Sequence, residues 1–273
     1  MQLTLDGARF DVLDEGTGPA VVLLHGFPLA KETWDAQAEA LRPHARIVRY
    51  DHRGLGSTGV TPGPYLMEAL AGDLAGILDA LEIERAILIG HSLGGYVAFA
   101  FYRMFAERCS ALGLVCTRAA ADEPAVAAAR EELAQRTERE GIAPVSAAFV
   151  PRLFAPRFYA DAPGVVERVR AIVERTDPRG AAAMLRGMAA RVASDDLLDE
   201  ISVPVSVIAG DEDAVVPLAE ARAIAAVPER GAFEALSGGH FPLVENPDAL
   251  AAALLRLIAR SAPESRAEPN RIS

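Results

Sequence analysis

The 273-residue chain lacks the segments and clusters that membrane, secreted and metal-binding proteins need. No apolar run reaches the roughly 18 residues of a membrane-spanning helix, and the first residues show no basic segment leading into an apolar core. Cysteine is scarce: Cys109 and Cys116 are the only two, and both fall in or beside a sequence typical of a buried strand. We therefore expect reduced core thiols, no metal site and a cytoplasmic location.

Lysine is almost absent, since Lys31 is the only one and arginine carries the remaining positive charge. Acidic residues outnumber basic ones by 38 to 27, which gives a formal net charge of −11. Nucleic-acid binding requires clustered positive charge facing phosphates. The composition therefore predicts no nucleic-acid partner, and the missing apolar span predicts no membrane partner.

Short apolar runs alternate along the chain with segments that have helical periodicity. This alternation is typical of the α/β class, in which helices cover both faces of a mainly parallel sheet. Eight runs predict strands, and residues 66–81 carry apolar side chains at helical spacing. The predicted strands are residues 3–5, 10–13, 20–24, 47–50, 86–89, 112–115, 203–209 and 232–236.

The alternation stops after Thr117 and resumes near residue 203. Residues 118–198 contain helix-like stretches rich in alanine, glutamate and arginine, then prolines and aromatic residues, and no sequence typical of a buried strand. The segment is too long for an unstructured loop in a compact protein. We predict a helical cap inserted after the sixth strand of an eight-stranded sheet. Residues 1–117 and 199–261 form the predicted core domain, and residues 262–273 a disordered tail.

One predicted strand runs directly into Gly90-x-Ser92-x-Gly94, and a helical pattern follows it. Glycine at both flanking positions lets the backbone turn sharply and pack closely, while the serine takes an unfavourable conformation and projects its hydroxyl. The order of strand, turn and helix favours a nucleophilic Ser92 over a serine that only caps the helix.

A serine nucleophile needs a base to remove its proton and a carboxylate to orient that base. Functional groups of an open α/β sheet gather at the carboxyl ends of its strands, and two later strands end in suitable loops. The first loop holds Asp211, Glu212 and Asp213, and the second holds His240. The chain order is thus serine, acid, histidine, and spacing alone leaves the acid open among the three carboxylates.

Five sequence blocks, in this order along about residues 1–260, resemble the α/β-hydrolase fold superfamily. They are His25-Gly26-Phe27-Pro28, Asp51-x-Arg53-Gly54-x-Gly56-Ser57, Gly90-His91-Ser92-Leu93-Gly94-Gly95, Gly210-x-x-Asp213-x-x-x-Pro217 and Gly239-His240-x-x-x-x-Glu245-x-Pro247. The resemblance implies that Ser92 is the nucleophile, that His240 is the general base and that Asp213 is the acid. It also implies an oxyanion hole formed by the backbone N–H groups of Phe27 and Leu93.

The resemblance gives other polar residues of these blocks structural roles. His25 resembles a histidine that braces neighbouring loops, and the side chain of His91 should point away from the pocket. Asp51 and Arg53 are expected to pair within their loop, and Glu245 to hold the loop of the catalytic histidine.

The expected reaction is hydrolysis through an acyl-enzyme, which requires no cofactor. A serine at the nucleophile position argues against the dehalogenase and epoxide-hydrolase relatives, which use aspartate there. We predict a hydrolase of carboxylic esters of small to medium size. The blocks also resemble 3-oxoadipate enol-lactonases, so enol-lactone hydrolysis in aromatic degradation is an alternative. Two further alternatives are a cofactor-free perhydrolase or haloperoxidase, and a ligand receptor that does not hydrolyse.

The predicted cap supplies the candidate substrate-binding side chains, which are Phe149, Phe154, Phe158, Met184 and Met188. Such a lining predicts a preference for uncharged acyl chains over charged lactones. The expected partner is a small-molecule ester or lactone, and a homodimer is a further expectation.

Overall fold

The computed structural model describes residues 1–261, so the predicted disordered tail lies outside the described residues. In this part of the chain the strands are β1 (Gln2–Leu5), β2 (Ala8–Asp11), β3 (Leu13–Glu15), β4 (Ala20–Leu24), β5 (Arg46–Arg49), β6 (Ala86–His91), β7 (Cys109–Val115), β8 (Val205–Gly210) and β9 (Gly231–Leu236). The helices are α1 (Asp35–Leu41), α2 (Met67–Ala80), α3 (Leu93–Phe105), α4 (Pro124–Glu140), α5 (Ala143–Phe149), α6 (Pro156–Asp161), α7 (Pro163–Glu174), α8 (Pro178–Ala189), α9 (Leu218–Ala226), α10 (Pro242–Glu245) and α11 (Pro247–Ser261).

One large sheet has the spatial order β3-β5-β4-β6-β7-β8-β9. Its edge strand β3 runs antiparallel to β5, and every other neighbouring pair is parallel. Helix α3 packs against β4, β6 and β7 with α2 beside it, while α11 packs against β7, β8 and β9 with α1 beside it. The predicted α/β class, with helices flanking a mainly parallel sheet, is confirmed.

The large sheet has seven strands where the sequence predicted eight. Within residues 1–261, strands β1 and β2 form a separate two-stranded sheet. The two turn residues between them, Asp6 and Gly7, both have positive φ and close a tight hairpin. The run at residues 10–13 is not one strand but the end of β2 and the start of β3. The helical segment therefore follows β7, which is the fifth strand of this sheet and not a sixth.

Residues 118–198, which we call the helical insertion, hold α4 to α8 and no strand among the described residues. Helices α4 and α8 pack along each other, and α8 lies directly on the loop that follows β5. A Cβ atom at Gly180 would be 1.9 Å from the carbonyl oxygen of Gly54, and one at Gly187 would be 1.7 Å from that of Tyr65. Glycine at these two positions brings the helix and the loop backbone into contact.

Two expectations from composition can be compared with the described residues. Cys109 and Cys116 are both buried and free, in agreement with reduced core thiols. No helix within residues 1–261 combines the length and the apolar character that crossing a membrane would require.

Candidate active site

Ser92 occupies the turn between β6 and α3 in a strained conformation, with φ of 50° and ψ of −111°. L-residues rarely adopt positive φ, because the Cβ atom crowds the following backbone. Hydrogen bonds hold the turn on both sides: the Ser92 N–H donates to the carbonyl of Val115 at 2.9 Å, and the Thr117 hydroxyl donates to the carbonyl of Ser92 at 2.8 Å. The serine is thus fixed at the carboxyl end of the central strand.

The two motif glycines are required by close backbone contacts around this turn. A Cβ atom at Gly90 would be 2.3 Å from the carbonyl oxygen of Gly94. A Cβ atom at Gly94 would be 2.2 Å from the carbonyl oxygen of Leu24 in the neighbouring strand β4. Any larger residue would push α3 away from β4, and the serine would move with it.

His240 follows β9 and is hydrogen-bonded to Asp213, which follows β8. The distance from His240 Nδ1 to Asp213 Oδ2 is 2.8 Å, and Nδ1 is the donor because a carboxylate only accepts. The other carboxylate oxygen accepts the N–H groups of Val215 at 2.7 Å and Val216 at 2.9 Å. Burial alone would raise the pKa of Asp213, but His240 and these N–H donors outweigh it and lower the pKa below its usual value.

The other two candidate acids have different partners. Asp211 Oδ1 accepts the backbone N–H of Gly238 at 3.0 Å and so supports the loop that carries His240. Glu212 lies at the surface, 3.6 Å from the guanidinium of Arg157. Of the three carboxylates that spacing alone left open, Asp213, the one that the family resemblance implied, contacts the imidazole.

Cys116 is a neighbour of this pair that sequence reasoning missed. Its Sγ and ligand atoms of Asp213 and His240 all lie within 4.8 Å of one another, the one such group of possible metal ligands within residues 1–261. Burial and the adjacent Asp213 raise the pKa of the Cys116 thiol well above its usual value. Since metals bind the thiolate and not the thiol, the neutral Cys116 is a poor ligand, and the absence of a metal stays a prediction.

His91 binds the backbone of His240 and so supports the loop that carries it. Its Nε2 donates to the carbonyl of His240 at 2.8 Å, and its Nδ1 has no partner among the described residues. Burial and the neighbouring His240 lower the pKa of His91 to about 3, so the ring is neutral near pH 7. As expected, the His91 side chain does not line the cavity described below.

His25 connects the loop that carries Phe27 to the loop that follows β5. Its Nδ1 donates to the carbonyl of Gly26 at 2.9 Å, and its Nε2 accepts the N–H of His52 at 3.0 Å. This geometry fits the expected bracing role of His25.

Contrary to expectation, Asp51 and Arg53 do not pair with each other. Asp51 accepts hydrogen bonds from Lys31 Nζ at 2.8 Å and from the N–H of Ser57 at 2.8 Å, whereas Arg53 Nε binds Asp73 at 3.0 Å. Burial favours the neutral acid, but the facing His25 and the bonds from Lys31 outweigh it and lower the pKa of Asp51 to about 2.

Ser92 and His240 open into the same small cavity, whose volume is about 40 Å³. The rings of Phe27 and Phe149, both part of its lining, pack edge to face with centroids 5.0 Å apart. Its lining residues are Phe27, Ser92, Tyr96, Arg130, Phe149, Arg152, Leu153, Met188, Val215 and His240. Within residues 1–261 the Ser92 hydroxyl makes no hydrogen bond, so a contact with His240 would have to tighten when substrate binds.

The candidate oxyanion donors are the N–H groups of Phe27 and Leu93. Neither donates a hydrogen bond to another described residue. Leu93 is the first residue of α3, where helical N–H groups have no partner within the helix. Both N–H groups are therefore free to donate; Leu93 directly follows Ser92, and Phe27 lines the same cavity as Ser92.

Two of the five candidate substrate-binding residues, Phe149 and Met188, line this cavity. Phe154 and Phe158 stack on each other with centroids 4.9 Å apart, and Phe154 also packs on Phe241 at 5.6 Å. Met184 is fully buried within the insertion. These three pack within the insertion or, through Phe154, against the loop that carries His240, and they do not line the cavity.

Three polar residues of the cavity lining, Tyr96, Arg130 and Arg152, were not among the sequence candidates. Tyr96 lies four residues after Ser92 on α3, so one helical turn places both on the same face, and this spacing could have identified it. Arg130 and Arg152 come from polar stretches of the insertion, and no motif marks them. They make the lining less apolar than expected.

Comparison with known proteins identifies the family. A family model described as alpha/beta hydrolase fold matches residues 19–247. The chain belongs to the α/β-hydrolase family. The protein is therefore a hydrolase, and the family resemblance found in its sequence is confirmed.

The relatives of this hydrolase include esterases and enol-lactonases. A thermophilic esterase from Thermogutta terrifontis, solved with malate bound, is 36% identical with a TM-score of 0.92, over 96% of this chain and 97% of that one. The enol-lactonase from Burkholderia xenovorans is 28% identical with a TM-score of 0.89, over 95% of this chain and 100% of that one. The 3-oxoadipate enol-lactonase 2 of Acinetobacter baylyi is 28% identical over 90% of both chains.

Proposed function

We propose that this hydrolase cleaves carboxylic esters of small to medium size through an acyl-enzyme formed on Ser92. The observation that carries the proposal is that Ser92, on its strained turn, and His240, bound to Asp213, open into one cavity. A hydroxyl, an imidazole and a carboxylate in this order are the parts that acyl transfer needs.

The reaction would proceed in two stages. His240 Nε2 takes the hydroxyl proton as Ser92 Oγ attacks the ester carbonyl, and Asp213 stabilises the imidazolium through the Nδ1 bond of 2.8 Å. The tetrahedral intermediate collapses as the imidazolium returns its proton to the leaving alcohol. A water molecule then transfers a proton to His240 as its oxygen attacks the acyl carbonyl. The second tetrahedral intermediate collapses as the imidazolium returns that proton to Ser92 Oγ, which releases the acid and restores the serine.

The oxyanion of both intermediates would be bound by the N–H groups of Phe27 and Leu93. The unused hydrogen-bonding capacity of both groups and the position of Leu93 at the start of α3 support this role. A donor aimed at the developing charge is typically worth about 10²–10³ in rate. The positive end of the helix dipole adds to the stabilisation.

We infer that the helical insertion acts as a cap on a core formed by residues 1–117 and 199–261. It contributes half of the cavity lining, namely Arg130, Phe149, Arg152, Leu153 and Met188. A volume of about 40 Å³ leaves little room for an acyl chain unless the insertion moves. The small volume therefore favours short substrates.

Enol-lactone hydrolysis is the second candidate function. An enol-lactone is a cyclic ester, so the same serine, histidine and N–H groups would open it. The specific observation in its favour is the likeness to two enol-lactonases over at least 90% of this chain.

Labelling with a fluorophosphonate and turnover of 4-nitrophenyl esters test the proposal together. We expect covalent labelling at Ser92, fast turnover of the butyrate ester and slow turnover of the palmitate ester. Ser92→Ala should abolish labelling and turnover, whereas Ser110→Ala, a matched change on β7 outside the cavity, should retain both. Activity that survives Ser92→Ala would overturn the proposal, and one turnover without a second would favour the ligand-receptor alternative.

A further inference from the structure

Among residues 1–261, the side chains that line the cavity of this acidic protein include two arginines and no acidic residue. The chain carries a net charge of −11, yet Arg130 and Arg152 are the charged side chains among the lining residues. Asp213, the nearest candidate catalytic carboxylate, is bound to His240 and does not line the cavity. The local charge at the cavity thus has the opposite sign to that of the whole molecule.

Arg152 lies at the exposed rim of the cavity, in the short turn that follows α5. Its Nη2 donates to the carbonyl of Ala214 at 3.2 Å, which fixes one end of the guanidinium. Among the described residues no carboxylate lies within ion-pair distance of it. Four of its five N–H groups are therefore free of protein partners in this part of the chain, and they can bind an anion.

Arg130 lies in the wall of the cavity and shares one counter-ion, Asp122, with Arg191. Its Nε binds the buried carboxylate of Asp122 at 2.5 Å, and Arg191 Nη1 binds the same carboxylate at 2.7 Å. Burial alone would raise the pKa of Asp122, but the two arginines outweigh it and lower the pKa, so this group is ionised near pH 7. One carboxylate faces two guanidinium groups, and a positive charge remains.

The remaining contacts place this excess positive charge at the cavity. Arg130 Nη1 lies 3.7 Å from the sulfur of Met188, which itself lines the cavity. The guanidinium of Arg191 stacks over the ring of Tyr96 at 4.1 Å, and that ring is another part of the lining. In the part of the chain that the structure describes, Asp122 is the one carboxylate that forms ion pairs with any of these three guanidinium groups, which lie in or behind the wall.

We propose that the cavity selects esters or lactones that carry a free carboxylate away from the carbonyl under attack. Arg152 would bind this carboxylate at the rim, and Arg130 would attract it from the wall. The inference rests on the proposed function and specifies its substrate class. It replaces the expectation, drawn from an apolar lining, that uncharged acyl chains are preferred.

A matched pair of substrates tests the contribution of the substrate's carboxylate charge, because the two esters differ in little besides that charge. The mono-4-nitrophenyl ester of adipic acid carries a carboxylate, and the corresponding adipamide ester carries a neutral amide of almost the same size. Both release 4-nitrophenol, so one assay serves both. A charge-assisted hydrogen bond predicts a kcat/KM for the carboxylate ester about 10- to 100-fold above that for the amide ester. The effect should lie mainly in KM and weaken with added salt, because Arg152 is exposed.

The variants assign the effect to the two arginines. Arg152→Met should lower the ratio of the two kcat/KM values severalfold, and Arg152→Glu should bring it below one. Arg130→Met should lower the ratio too, with Arg191 still paired to Asp122 to preserve the fold. Arg170→Met, on the insertion but outside the cavity, is the matched control and should leave the ratio unchanged.

The outcomes separate this inference from the proposed function. Equal kcat/KM values for the two esters in the unaltered enzyme would overturn the carboxylate subsite, as would a ratio that Arg152→Glu leaves unchanged. In either case, turnover that requires Ser92 would leave the proposed ester hydrolysis standing. Failure on both adipic esters with 4-nitrophenyl butyrate still hydrolysed would likewise overturn only the subsite. Failure on the butyrate ester as well, or hydrolysis that survives Ser92→Ala, would instead overturn the proposed function.

Discussion

Asp211 and Asp213 lie two residues apart on the loop after β8, yet only Asp213 contacts the imidazole of His240. The Asp213 carboxylate accepts from His240 Nδ1 at 2.8 Å, whereas Asp211 accepts from the N–H of Gly238 at 3.0 Å. One short loop thus has two roles. Asp213 orients the imidazole, and Asp211 fixes the backbone of the loop that carries His240.

Asparagine substitutions at these two positions should have very different effects on turnover. Asp213→Asn removes the charge that stabilises the imidazolium and fixes its tautomer, so we expect kcat to fall by about 10³–10⁴. Asp211→Asn retains an oxygen that accepts from Gly238, and we expect kcat within about tenfold of the parent. Initial rates on 4-nitrophenyl butyrate measure both. The reverse ranking would assign the acid to Asp211.

Periodicity and spacing in the sequence predicted the elements that carry these groups, but they could not choose the acid, which only the family resemblance assigned to Asp213. Strand periodicity places a loop after β8, and the glycine motif marks Ser92, because both depend on local backbone geometry. The direction of each side chain in a turn of three carboxylates depends on contacts with a loop 27 residues away, such as the bond between Asp213 and His240. Periodicity carries no information about such contacts.

The cavity lining was predicted less well for a related reason. Aromatic and methionine side chains in the insertion identify apolar surface, but not whether it faces the cavity or a neighbouring helix. Phe154 and Phe158 stack on each other instead of lining the cavity. Arg152 lies in a polar stretch that would be a solvated face in most helical segments. It becomes a candidate binding residue because the structure places it in the lining of the same cavity as Ser92.

At position 92, glycine should give a more stable fold than alanine, because glycine removes the Cβ atom and alanine removes only the hydroxyl. With φ at 50°, an L-residue is strained by about 1–2 kcal/mol, and glycine relieves that strain. Ser92→Gly should therefore unfold in urea with a free energy about 1 kcal/mol above that of Ser92→Ala. The matched pair at Ser110 in β7 should rank the other way, since glycine weakens an ordinary strand. The same ranking at both sites would mean that the turn stores no strain.

Alanine at two helical glycines should change stability in opposite directions. A Cβ atom at Gly72 in α2 has no neighbour within 4 Å, so Gly72→Ala should gain about 1 kcal/mol from helix propensity. A Cβ atom at Gly187 in α8 would be 1.7 Å from the carbonyl oxygen of Tyr65. Gly187→Ala should therefore lose about 1–3 kcal/mol as α8 moves off the loop. Thermal and urea unfolding measure both, and a stabilised Gly187→Ala would show that this contact is loose.

Glu245 joins the loop that carries His240 to the helical insertion. Replacing it with glutamine should weaken this connection and lower the stability of the fold. Its two carboxylate oxygens accept the N–H groups of Gly239 at 2.8 Å and Ala155 at 2.9 Å. Glutamine has one acceptor oxygen, so Glu245→Gln leaves one N–H without a partner and should lose about 1–3 kcal/mol in urea unfolding. Glu229→Gln, at the surface, should stay within about 0.5 kcal/mol. Equal effects of the two changes would contradict the bridging role.

The buried carboxylate of Asp51 should make stability depend on pH at the acid end. Its pKa in the folded protein is about 2, against an ordinary value of 3.8. A carboxyl whose pKa is lowered by folding stabilises the protein fully above its unfolded value, and this stabilisation is lost as the pH falls from about 4 to 2. The whole effect amounts to about 2 kcal/mol, of which about half should be gone at pH 3.

Asp51→Asn isolates this contribution from the other carboxyl groups. The variant should be less stable by about 3 kcal/mol at pH 5, because the buried Lys31 ammonium then keeps only the more exposed Asp11, 3.5 Å away, as a carboxylate partner among the described residues. The difference in the free energy of urea unfolding between parent and variant should then shrink by about 1 kcal/mol at pH 3. The same difference at both pH values would mean that Asp51 titrates alike in the folded and unfolded chains. The bonds from Lys31 and Ser57 would then not be holding the carboxylate ionised.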